Sequence, residues 1–115
     1  MRVVHLAEVA AQPVEEGGAR DTTVRWLLSR PEGAPNFAMR LFELAPGGFT
    51  PLHEHPWEHE VFILEGRVEV VQESGPSPVS PGDAVLLLPG ERHRFRNTGD
   101  APARMLCMIP LPEEG

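Results

Sequence analysis

Three of the five histidines fall within seven positions, in the stretch His53-Glu54-His55-Pro56-Trp57-Glu58-His59-Glu60. Neutral imidazole is the commonest protein ligand for a metal near neutral pH. A metal site needs donor atoms that converge at about 2.0–2.2 Å from one point. Side chains alternate faces along an extended segment, so His53 and His55 point the same way. His59 keeps their parity across the bend expected at Pro56. Glu54, Glu58 and Glu60 have the opposite parity, which sets them in solvent or behind the histidines rather than in a catalytic acid–base pair. The competing reading is a histidine-rich surface loop that holds no metal.

A second stretch favours the metal. Gly82-Asp83-Ala84-Val85-Leu86-Leu87-Leu88-Pro89-Gly90-Glu91-Arg92-His93-Arg94-Phe95-Arg96-Asn97 reads as turn, apolar strand, tight turn, strand, with His93 opening the last strand. Together the two stretches resemble the two motifs of the cupin family. In the first, Gly47, His53, His55, His59 and Gly66 fit the family spacing. In the second, Gly82, Gly90, His93 and Asn97 do. Two positions depart from the pattern. His59 stands where the family has glutamate, and Glu60, at the family's alternative spacing, is turned away by parity. Leu88 stands where the family has proline, with Pro89 following it. A narrower likeness, to small single-domain cupins with a four-histidine manganese site, runs through Pro35–Phe42, Pro46-Gly47-Gly48 and His55–Glu60.

The resemblance implies an all-β jelly-roll barrel (a double-stranded β-helix) as one domain over residues 1–115, with motif 1 at about 47–66 and motif 2 at about 82–97. It also implies a site in which His53, His55, His59 and His93 hold one divalent transition metal. Four nitrogen donors without a thiolate suit Mn, Fe, Co, Ni, Cu or Zn, and the resemblance favours Mn or Fe. Four neutral ligands leave the full dipositive charge on the metal, which suits a small anionic ligand such as an enolate or carboxylate. The leading functional expectation is a dioxygenase-type oxidoreductase acting on a small, enolisable substrate. A non-catalytic metal or ligand sensor and a metal-dependent isomerase are the alternatives. The chain has neither tyrosine nor lysine, so it offers the isomerase no evident proton shuttle. No nucleophile elbow and no phosphate loop are present.

Composition narrows the remaining classes. A chain of 115 residues with thirteen prolines and eleven glycines is one domain cut into short pieces, which suits strands. A net charge of −7 disfavours nucleic acid and anionic membrane as partners. The single cysteine, Cys107, precludes an intramolecular disulfide. With no cationic start followed by an apolar run and no apolar stretch of about 20 residues, a cytoplasmic protein without a membrane span is expected. A small domain of this kind gains buried area by pairing, and a homodimer is expected.

The elements that must position the histidines follow in order. Arg2–Leu6 is expected as an edge strand, Ala10–Thr22 as a loop and Val24–Leu28 as a strand with Trp26 in the core. Phe37–Leu44 is a strand on which Arg40 shares a face with Ala38, Phe42 and Leu44; it reaches either into a cavity or along the surface to water. Ala45–Gly48 is a turn. Val61–Leu64 is an apolar strand between two layers, Arg67–Val71 a strand, Ser74–Pro78 a loop and Ala84–Leu88 a strand. Arg92, Arg94 and Arg96 alternate with His93 and Phe95, as a solvated face opposite an inward one, or as an anion-binding stripe. Met105–Ile109 is the last strand, and residues 110–115 form a patternless tail. Both faces of Met105–Ile109 are apolar, so parity leaves open which one looks inward; the resemblance points to Met105 and Cys107. Arg40, Phe42, Phe95, Met105 and Cys107 are the candidate pocket wall.

Overall fold

The computed structural model describes residues 1–111. The rest of the expected tail, residues 112–115, lies outside the described residues. The chain is all-β. Its strands are β1 (Gln12–Pro13), β2 (Arg20–Leu28), β3 (Phe37–Phe49), β4 (His59–Glu65), β5 (Val68–Gln72), β6 (Gly75–Val79), β7 (Ala84–Leu87), β8 (Arg94–Asn97) and β9 (Ala103–Pro110). All pairings are antiparallel, in the order β6-β5-β8-β3-β9-β4-β7, with β2 along β3 and β1 along β2. The sheet curls into the half-barrel of a jelly roll.

The curl depends on β3. Its first part pairs with β9 from Phe37 to Leu44, and its last residue, Phe49, pairs with Arg96 of β8. Ala45-Pro46-Gly47-Gly48, expected as a turn, instead bends a strand that continues through it. The register with β2 slips there, from Leu44 opposite Thr22 to Phe49 opposite Arg20. Such an irregularity sharpens local twist and lets one strand serve two parts of a barrel. Gly48 is required at the bend. A Cβ on it would lie 2.7 Å from the Asp21 carbonyl oxygen and 2.9 Å from that of Ala45.

Asn97 pins the other side of the bend. It is buried, its Nδ2 donates to the carbonyls of Leu44 at 3.0 Å and Ala101 at 2.9 Å, and its Oδ1 accepts from Gly99 N at 2.9 Å. The asparagine of the second motif is thus a structural clamp between β8 and β3.

Inward residues of both halves form the core, among them Val24, Phe42, Leu44, Val61, Ile63, Val70, Phe95 and Met105. Strand alternation decides who faces it. Val61 and Ile63 are buried, whereas Phe62 and Leu64 are 40% and 39% exposed. The expectation that Val61–Leu64 lies between two layers is therefore corrected: one face meets the core, and the other joins Phe37, Leu86 and Leu88 on an uncovered apolar surface.

Three other expectations change. Residues 2–6 form no strand; Leu6–Glu8 is a 3-10 turn, with His5 Nδ1 accepting from Ala7 N at 3.0 Å. The expected loop at Ala10–Thr22 contains β1 and the start of β2. Ser74–Pro78 is mostly strand β6 rather than loop. Pro76 and Pro78 are tolerated because β6 is at the edge, where a missing N–H leaves no neighbour unpaired.

Two substitutions test this account. Ile63→Ala should lower unfolding free energy by about 2–5 kcal/mol through cavity formation. Gly48→Ala should lower it by about 1–3 kcal/mol, since only backbone surrounds the new methyl group. Urea denaturation followed by circular dichroism reads both.

Candidate metal centre and cavity

Of the histidines of the first stretch, His53 and His55 lie outside the regular strands. Residues 54–58 form an irregular loop between β3 and β4, and His59 begins β4. The loop is held by the backbone of the second stretch. His53 N donates to the His93 carbonyl at 3.1 Å, and His93 N donates to that of His53 at 2.9 Å. Gly90 N donates to the His55 carbonyl at 2.9 Å. The exchange between His53 and His93 is an isolated antiparallel bridge, and it brings the two rings to a centroid separation of 5.0 Å.

His53, His55 and His93 come together: their donor nitrogens all lie within 4.8 Å of one another. Two nitrogens that share a metal at about 2.1 Å stand at most about 4.2 Å apart, so a modest rotation of the rings completes a coordination set. His93 Nδ1, 2.9 Å from the Glu91 carbonyl, donates to it and leaves Nε2 as the lone-pair nitrogen. A backbone hydrogen bond that fixes the tautomer and orientation of the imidazole is usual for a metal-binding histidine.

His59 stands beside this trio rather than within it. Its Nδ1 is 3.4 Å from His93 Nε2, and its Nε2 is 3.4 Å from Arg40 Nη2. Arginine only donates, so that contact makes His59 Nε2 the acceptor. The proton of the neutral ring then lies on Nδ1, toward His93. A chain of donors thus runs from Arg40 through His59 and His93 to the Glu91 carbonyl.

Burial keeps the rings neutral. It depresses His53 to about 4, helped by the positive charge that His93, His55 and Arg40 would add. It depresses His59 further, to about 2, with Arg40 the next cause. His55 is lowered by burial and by His93. His93 is also lowered by burial, against the opposing pull of its bond to Glu91. Three neutral imidazoles with convergent donor atoms fit a divalent transition metal.

The histidines open into a cavity of about 450 Å³, within the usual range for small-molecule sites. Arg40, Phe42, Phe95, Met105 and Cys107 all line it. Cys107 is fully buried, and burial pushes its thiol up to about 12, so it is a protonated wall group and not a nucleophile. Glu54, Glu58 and Glu60 are all exposed, and the Glu58 carboxyl is raised because its protonated form donates a hydrogen bond to the Glu60 carboxylate beside it. Arg94 and Arg96 serve the outer surface: Arg94 lies over Phe49 and donates to the Thr50 carbonyl, while Arg96 pairs with Glu69.

Sequence reasoning missed part of the wall. Trp26, expected in the core, is 37% exposed and lines the cavity. Its cross-strand partner is Arg40, a pairing that no single-strand pattern carries. Trp57 stacks on His55 at 4.9 Å. The arm Gln12–Glu16 edges the mouth. A Cβ on the neighbouring Gly17 would lie 2.7 Å from Pro51 Cβ, so the arm seats directly against the chain leading to His53.

Comparison with known proteins agrees with this architecture. Residues 40–109 match the family described as the cupin domain. The chain belongs to the cupin family. The structure of the polyketide cyclase RemF from Streptomyces resistomycificus superposes with a TM-score of 0.91 at 38% identity, covering 100% of this chain and 82% of that one. The polyketide synthase CurC of Streptomyces cyaneus is 34% identical over 93% of this chain and 73% of its own. The oxalate-binding protein of Thermotoga maritima is 31% identical over 95% of this chain and 93% of its own. No helix among the described residues is long and apolar enough to cross a membrane.

The neutral histidines give the metal-free protein a defined acid response. Their folded values lie below the unfolded value of 6.5, so below that pH the unfolded chain binds more protons than the folded one. The stability they contribute is complete above about pH 6.5 and is lost as pH falls, through about 4 for His53 and on toward 2 for His59. In EDTA, Tm should decline steadily from pH 6.5 to pH 4. A flat Tm across that window would contradict neutral, buried imidazoles.

Proposed function

We propose that this protein is a metal-dependent enzyme that acts on a small, enolisable or anionic carbonyl compound. The observation that carries the reading is the convergence of three histidines, each kept neutral by burial, on a cavity whose wall includes Phe42, Phe95, Met105 and Cys107. His53, His55 and His93 would hold the metal. His59, 3.4 Å from His93, would complete a four-histidine set only on giving up its contact with Arg40 and turning a lone-pair nitrogen to the ion, and the likeness to four-histidine cupins favours Mn or Fe. The bound metal supplies a Lewis acid to a carbonyl oxygen. The chain's own residues do the rest. Phe42, Phe95, Met105 and Cys107 exclude water, and Arg40 adds a fixed positive charge. The likeness to a polyketide cyclase supports carbon-skeleton chemistry on such a compound.

A second reading, a dioxygenase-type oxidoreductase, draws on the all-nitrogen donor set, which also suits redox-active ions. The two are separated in one experiment. Metal-loaded protein should accelerate deuterium exchange at the α-carbon of a β-keto carboxylate, followed by NMR, without oxygen uptake. Oxygen uptake without exchange would favour the dioxygenase, and neither activity would favour a binding module.

Metal content gives a sharper test of the ligands. His53→Ala, His55→Ala and His93→Ala should each lower metal affinity at least about tenfold. Full stoichiometry in His59→Ala would reduce the set to three.

The apolar surface of Phe62, Leu64 and Leu86 supports a homodimer in which a second copy covers that face. Sedimentation should give twice the chain mass, and Phe62→Glu should give the monomer.

A further inference from the structure

Arg40 is held at the centre of a cross-sheet row. The register sets Trp26 of β2 on one side of it and Cys107 of β9 on the other. Two residues along β3, Phe42 projects on the same face, with Val24 and Met105 as its partners. The guanidinium carbon lies 5.2 Å from the centroid of the Trp26 ring and 4.9 Å from that of Phe42. Among the described residues, this arginine is the one Lys or Arg side chain lining the cavity.

Its charge is unbalanced. Arg20, Arg25, Arg96 and Arg104 pair with Asp21, Glu43 and Glu69, and no carboxylate partners Arg40 among the described residues. Its Nε is buried without a hydrogen-bond partner, and so is Nε1 of Trp57, another cavity residue. Burying an unpaired charge is costly unless something satisfies it, and a contact with neutral His59 at 3.4 Å leaves most of its five donors free. The fork geometry of a guanidinium matches a carboxylate or an enolate oxygen pair. The guanidinium lies over both rings, and Trp26, 37% exposed, presents flat apolar surface to the cavity beside it.

We infer that Arg40, Trp26 and Phe42 form an anion subsite that binds the carboxylate or enolate of a planar, conjugated ligand and stacks its ring system, independently of the metal. The subsite deepens the proposed function by naming a substrate class, and it rests on that reading only in treating the cavity as the substrate pocket. The exposed carboxylates of Glu15, Glu16 and Glu54 at the mouth oppose a second negative charge at the solvent end, so a monoanion is preferred.

The test uses chelator-treated protein, so its outcome does not depend on metal chemistry. Calorimetric titration compares 2-naphthoate with 2-naphthamide, which share a ring system and differ in charge. Wild-type protein should bind naphthoate more tightly. Arg40→Gln, which keeps a donor toward His59 but removes the charge, should weaken naphthoate at least tenfold and naphthamide less than twofold. Trp26→Leu should weaken naphthoate while leaving the non-planar cyclohexanecarboxylate within twofold, and it keeps the test open should Arg40→Gln fail to fold. Equal weakening of naphthoate and naphthamide in Arg40→Gln would show that Arg40 only orients His59. Failure of wild-type protein to bind naphthoate, or unchanged naphthoate affinity in Arg40→Gln, would also overturn the subsite. If the subsite binds anions and α-proton exchange is absent, the subsite stands and the proposed reaction falls.

Discussion

His53 and His93 exchange two backbone hydrogen bonds, and the candidate metal site depends on that bridge. The residues are forty positions apart in sequence. One ends the run out of β3, the other leads into β8, and neither lies in a regular strand. The same ladder continues through Thr50, whose N donates to the Phe95 carbonyl and whose Oγ1 accepts from Phe95 N. Phe49 opposite Arg96 completes it. Because the backbone fixes the two histidines, their rings need few side-chain contacts to converge. The constraint also explains why β3 must bend at Ala45–Gly48: a straight strand would carry His53 away from β8.

Burial does the electrostatic work. Each imidazole gives up hydration when the cavity walls close around it, and the cost falls on its charged form. The rings are therefore neutral across the physiological range, with lone pairs available at the protein's own expense in acid stability. A metal that binds the neutral set adds to the folded state what its binding contributes, so occupancy and fold stability are linked. Arg40 reinforces the bias, since a nearby fixed cation opposes a second positive charge on His59.

Much of this was legible in the sequence. Histidine spacing marked residues of which the structure brings His53, His55 and His93 together, and the two motifs named the fold, because both are local patterns of residue type. Val61, Phe62, Ile63 and Leu64 are all apolar, so nothing in the pattern showed that Phe62 and Leu64 face outward. Trp26 was misread for a related reason. An apolar strand residue looks like core until its cross-strand partner is known, and here the partner is an arginine. Pro76 and Pro78 suggested a loop because the edge position that tolerates them is a property of the whole sheet. The arm at Gln12–Glu16 carries no motif, and its place at the mouth follows from two residues of pairing with β2.

The contact between Gly17 and Pro51 has a mechanical consequence. Pro51 lies two residues before His53, so the arm that edges the cavity and the loop that presents the donors share one joint. The joint is close, with a proline ring on one side and a backbone without a side chain on the other. Widening the entrance along that edge displaces the base of the histidine loop as well. Access and donor geometry are therefore a single degree of freedom on this side of the barrel, and a ligand too large for the mouth disturbs the centre before it reaches it.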